Sequence, residues 1–141
     1  MVDFITFAIA FVSLNIALDV LTQKVLKIHG LDFLFIAPWI AAFTFGLYEA
    51  AVVTIFLVVT HIILSVKIAN YILLSSPAMA ISILIGNSLG AGSFWLAMIV
   101  YYLISSTAVF LMRGFGGRYI SFVILNIVFN LVVRYIYFSL I

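Results

Sequence analysis

The chain has 141 residues, 68% of them hydrophobic and 7% charged, and its mean hydropathy of +1.45 excludes a water-soluble surface and predicts an integral membrane protein. At about 20 residues per spanning helix, six or seven spans at most fit, so residues 1–141 are expected to form a single all-α transmembrane domain. Without cysteine there are no disulfides, catalytic thiolates or cysteine-ligated metals; two histidines are too few for a metal centre, and six scattered basic residues, net charge +2, make no nucleic-acid patch.

The first run, MVDFITFAIAFVSLNIALDVLTQKV, carries Asp3 in place of a basic leader and has Asn15 and Asp19 inside its apolar stretch. It is therefore expected to be a retained first helix over 3–23, with no cleaved signal. Asn15, Asp19 and Gln23 recur every four residues and share one face.

A second helix over 31–47 and a third over 48–66 are separated only by Gly46, Leu47, Tyr48 and Glu49. Read as one helix, residues 31–66 would be about 54 Å long against a hydrocarbon core of about 30 Å, which predicts a tight hairpin. The third helix contributes Thr54, His61 and Ser65 on one face. A fourth helix over 69–90 contains Pro77 after Ser75 and Ser76. Pro38 and Pro77 are expected to kink the second and fourth helices; the alternative for the fourth is a break at SSP, and the serine hydroxyls can satisfy freed carbonyls.

Within AMAISILIGNSLGAG, Ala78, Ser82, Gly86 and Gly90 form a small-residue stripe, with Ala42, Gly46 and Ala50 as a shorter analogue. Such stripes admit close helix approach, either inside the chain or against another subunit. The letters GNSLG also match the pattern of a hydrolase nucleophile elbow, but that elbow needs a strand-to-helix turn and nothing here reads as a strand. A fifth helix is expected over 93–112. The turn RGFGGR lacks the P-loop spacing and reads as a cytoplasmic loop with topogenic charges, where anionic lipid headgroups can sit.

The last helix, 118–140, contains FVILNIVFNLVVRYIYF, with Asn126, Asn130 and Arg134 on one stripe. With six spans and the amino terminus outside, Lys24, Lys27, Lys67, Arg113 and Arg118 fall on one side, which the positive-inside rule makes cytoplasmic. Both termini are then outside. Merging the second and third spans loses that asymmetry.

Depth along antiparallel helices separates the polar residues. Asn15 and Asn130 are expected near mid-membrane, Asp19 and Asn126 in the inner half, and Arg134 near the outer interface. Asn126 and Asn130 are therefore expected to bond the Asn15 and Asp19 face, closing a seam between the first and last helices. Asn15, Asp19, His61, Asn126, Asn130 and Arg134 are the candidate intramembrane site. The inner group is Asp19, His61 and Asn126; Glu49, Asn87 and Arg134 form a possible outer cluster, in which Arg134 suits an anionic group. The competing reading is that the amides bond helix to helix and Arg134 snorkels. Asp19 resists it best, since a carboxylate in a membrane costs roughly 2.5–3.5 kcal/mol and usually faces a cavity or partner.

The stretch APWIAAFTFGLYEAAVVTIFLVVTHIIL, with Pro in an apolar helix and Gly at a tight hairpin, resembles the membrane substrate-binding subunits of energy-coupling-factor transporters. The closing ILNIVFNLVVRYIYF is similar to the related rod-shape-determining membrane subunits. The resemblance implies six helices and, for the former, a vitamin or metal-ion substrate and docking on a separate energising module. Two features depart from it: the connection after the first helix is too short for a substrate lid, and the charge-derived orientation is the opposite one.

The expected function is a small-solute-binding or transport subunit of the cell membrane, working with other membrane subunits or as a homo-oligomer. The alternative is a non-catalytic structural or assembly subunit, for which the stripes are helix glue. An enzyme is not expected, because four acids and two histidines form no recognised catalytic spacing. No cofactor, metal or nucleic-acid partner is expected.

Overall fold

The computed structural model describes residues 3–64 and 69–140; Ser65 and Lys67 lie outside them. All regular structure among the described residues is helical. Helix α1, Phe4–Val20, starts at Asp3, whose carboxylate accepts from the Thr6 backbone N–H at 2.8 Å. That bond satisfies one of the free amides of the first turn. The helix continues as a π-helical segment, Leu21–Leu26. There the Thr22 hydroxyl donates back to Leu18 O at 2.8 Å, and Lys27 turns the chain with a φ of 53°.

The expected span over 31–47 takes a different form. Residues 27–35 are irregular, and α2 covers only Ile36–Thr44, nine residues. At about 13.5 Å it is too short to cross a membrane alone. The cause is local. Gly30 has a φ of 107°, the Leu34 N–H is taken by Asp32 Oδ1 at 3.1 Å, and Phe33 N–H is taken by Asn15 Oδ1 at 2.9 Å. Side chains thus claim two amides that a longer helix would have used. Pro38 falls in the first turn of α2, where it lacks only an N–H that has little use, so no kink results. Residues Ile36 to Ala42 are all buried, as befits a helix that is apolar all round and lies at the centre of a bundle.

The hairpin into α3, Leu47–Leu64, turns at Phe45 and Gly46, where Gly46 has a φ of 121°. The fourth expected helix is two pieces, α4 (Ala69–Leu74) and α5 (Ser76–Leu89), with Pro77 in the first turn of the second. The break at SSP therefore replaces the expected kink, and the Ser75 hydroxyl donates to Tyr71 O at 3.1 Å. After a 3-10 turn, Ala91–Ser93, come α6 (Phe94–Leu111) and α7 (Gly117–Leu140). Among the described residues four segments are long and apolar enough to cross a membrane: Phe4–Leu26, Leu47–Leu64, Ala91–Leu111 and Gly117–Leu140.

The small-residue stripe is used inside the chain. A Cβ on Gly86 would lie 2.9 Å from Trp39 Cδ1 and 3.1 Å from Trp39 O, so α2 rests directly on α5. Ser82 is buried and donates to Ala78 O at 2.8 Å. Gly90, expected in the same stripe, has open space around its Cβ position and a φ of 70°. It ends α5 instead of packing it, and its carbonyl accepts from Ser93 Oγ, which in turn accepts from Trp39 Nε1 at 3.2 Å.

Contacts between distant segments define two ends. At one, Gly30 presses on the Phe122 backbone and Gly114 lies against Tyr71, gathering the ends of α1 and α6 with the starts of α4 and α7. Lys24, Lys27, Arg113 and Arg118 are exposed there. At the other, Phe45 packs on Phe4 and Phe7, and Phe43 stacks on Phe138.

Candidate functional site

Polar groups inside an apolar bundle are costly unless bonded, so their partners define the site. Asp19, in the last turn of α1, is 2% exposed. Its Oδ2 accepts from Asn15 Nδ2 at 3.1 Å and lies 2.8 Å from His61 Nδ1 near the end of α3. The contact is one of charge and proximity, since Nδ1 lacks hydrogen-bond geometry to any acceptor among the described residues. Of the inner group expected from the sequence, Asp19 and His61 meet, joined by Asn15 from α1, while Asn126 bonds elsewhere.

The other amides sit on α7. Asn126 Oδ1 accepts a short bond from Tyr102 OH and another from Asn130 Nδ2 at 2.9 Å; Asn130 Nδ2 also reaches Tyr102 OH at 3.0 Å. Asn126 Nδ2 donates to Gly30 O at 2.9 Å. The expected seam is therefore not a direct amide contact between α1 and α7. The 27–35 connector lies between them, held by Asn15 at Phe33 and by Asn126 at Gly30. Phe33 completes the joint, its ring packed edge-on against Phe11 on one side and Phe129 on the other.

Asp19, His61 and Asp32 line one narrow cleft, with Thr22, Gln23, Gly30 and Phe122 also on its walls and the exposed His29 at its rim. Its accessible volume, about 10 Å³, is enough for about one water molecule. Two buried carboxylates and an imidazole thus share one narrow opening. Among the described residues no group of three His, Cys, Asp or Glu side chains is arranged to hold a metal ion.

Arg134 stands apart, at the far end. Its guanidinium carbon lies 4.9 Å from the Phe94 ring centre and 5.5 Å from that of Phe138. The one ion pair among the described residues is Asp19–His61, so Glu49 does not take Arg134. The outer cluster is not assembled: Asn87 is exposed, and the Glu49 carboxylate sits over Gly46. Thr54 bonds its own helix at Ala50 O. Ser88, of the GNSLG match, lies within a helix.

Sequence reasoning missed Asp32, Tyr102 and the Gly30 carbonyl. Asp32 had a signal, since Gly30 and Asp32 in HGLDF are turn residues at the edge of an apolar run. Tyr102 had none, being one of seven tyrosines in an aromatic chain. No protein-family model, curated protein or solved structure is matched by this chain.

Proposed function

We propose that this chain is a non-enzymatic, six-pass subunit of the cell membrane that binds or conducts a small solute and works with partner subunits. The observation that carries this reading is the cleft, at which Asp19, His61 and Asp32 meet. Ionisable groups inside a membrane protein are expensive and mark solute or ion pathways when they face an opening. In this conformation the cleft accepts nothing larger than water, so the solute is a small ion, or it enters after a wider opening.

Six crossings follow if the connector with α2, and α4 with α5, each cross as a pair. The gathering of Lys24, Lys27, Arg113 and Arg118 at one end supports this count, with that end cytoplasmic and both termini outside. The likeness to energy-coupling-factor substrate-binding subunits supports the partner-dependent part. A second reading, an assembly subunit, draws on the amides: Asn15 and Asn126 spend bonds on connector backbone, as a purely structural latch would.

Native mass spectrometry of the protein extracted in mild detergent tests both parts. Wild type is expected to travel with other subunits and with a bound small solute that an Asp19→Asn, His61→Gln double variant lacks. A solute-free wild type, alone or with partners, overturns the solute reading. Because the chain has no cysteine, single introduced cysteines report topology without background. Labelling from outside is expected at position 48 and not at position 118.

A further inference from the structure

The turn between α6 and α7 combines an apolar wall with a cation at the end of a span. The last turn of α6 exposes Phe110 and Leu111, 65% and 74% accessible. The chain then reverses through Arg113, whose φ is 57°. Arg113 N–H donates to Phe110 O at 2.9 Å and Gly114 N–H to Val109 O at 3.0 Å, a closure that satisfies the last carbonyls. Gly114 is seated against the Tyr71 ring, its Cβ position 2.8 Å from Cε1. Phe115 folds back edge-on to Phe110. Phe110, Leu111, Arg113 and Phe115, all exposed, line a shallow open groove of about 480 Å³.

The exposed charge at this end is one-signed. The chain has four acids. Asp3 and Glu49 begin α1 and α3 at the opposite end, while Asp19 faces His61 and Asp32 is buried. No carboxylate is therefore exposed beside Arg113, and Arg118, Lys24 and Lys27 are exposed at the same end.

We propose that this groove is a binding site for an anionic glycerophospholipid. The guanidinium of Arg113 takes the headgroup phosphate through its forked N–H donors, and Phe110 and Leu111 carry the first part of an acyl chain. The added cations favour a headgroup with net negative charge over a zwitterionic one, whose ammonium they repel. An apolar wall has no role for free phosphate, which selects the lipid as occupant.

The test uses the full chain in mild detergent, supplied with phosphatidylglycerol or phosphatidylcholine, with retained lipid counted by native mass spectrometry. Wild type is expected to retain phosphatidylglycerol about tenfold better than phosphatidylcholine, and Arg113→Gln to lower retention of both lipids about tenfold. Phe110→Gln, at an exposed position and with an unchanged melting temperature as its control, is expected to lower retention of phosphatidylglycerol as well. Equal retention of the two lipids by wild type overturns the proposal. So does either variant retaining phosphatidylglycerol as wild type does, or displacement of that lipid by excess inorganic phosphate.

Discussion

Asn15 and Asn126, on the first and last helices, hold one segment of backbone between them. Asn15 Oδ1 takes the Phe33 N–H, and Asn126 Nδ2 gives a hydrogen bond to Gly30 O, each at 2.9 Å. Irregular backbone inside a membrane protein is tolerated only where its polar groups are satisfied, and these two amides do that for the connector. The short central helix is a consequence: α2 begins only after the side chains have released the backbone.

Replacing either amide by leucine leaves a buried backbone group unbonded. Asn126→Leu is expected to cost about 1–3 kcal/mol, because the Gly30 carbonyl is left unbonded and Tyr102 and Asn130 each lose one of their bonds, and Asn15→Leu a similar amount. Since both hold the same segment, the double variant should lose less than the two singles together. Unfolding by denaturant in detergent micelles measures this. Simple additivity would mean that the connector does not act as one unit.

Gly30 separates backbone conformation from side-chain chemistry. Its φ of 107° is unfavourable for any side chain, and a Cβ there would lie 2.6 Å from Phe122 O, a backbone atom that cannot swing away. Gly30→Ala should cost more than about 1 kcal/mol. Gly92→Ala meets nothing within 4 Å and should stay within about 0.5 kcal/mol of wild type. Comparable melting temperatures for the two variants would contradict the tight docking of the connector on α7.

How far the sequence discloses this arrangement depends on the kind of signal. The four-residue spacing of Asn126 and Asn130 survives because helix periodicity is local, and both are buried as that spacing implied. Asp19 and His61 were legible as costly groups needing a partner, and each supplies the other's. The continuous helix expected over 31–47 is instead a connector and a nine-residue helix, because hydropathy cannot separate a long helix from a short buried one with an irregular lead-in. Both are equally apolar, and only Gly30 and Asp32 mark the difference. Gly90 shows the same ambiguity, since a small residue at the end of a stripe serves packing or termination, and here it terminates.

At Gly86 the helices approach until only hydrogen fits. A methyl group would meet Trp39 at 2.9 Å and Ala42 at 3.3 Å, so Gly86→Ala must move α2 away from α5, at a cost of about 1–3 kcal/mol. The chain has two tryptophans. In a Trp95→Phe background Trp39 becomes the only one, now wholly buried and bonded to Ser93. Its emission should shift to the red in Gly86→Ala as the indole loses that enclosure. An unchanged spectrum and stability would show that the α2–α5 contact has slack.

The Asp19–His61 pair allows stability and function to be told apart. Removing one member strands the other in the bundle, and a half-broken buried pair typically costs about 3–5 kcal/mol, whereas an apolar replacement of both costs far less. Asp19→Leu and His61→Leu are each expected to destabilise strongly, and the double variant to be more stable than the worse single. Costs that simply add would show that the two groups do not depend on each other. The same three variants bear on the solute reading. If the pair is a site, the double variant regains stability without regaining solute binding; if both return together, the pair is only a strut between α1 and α3.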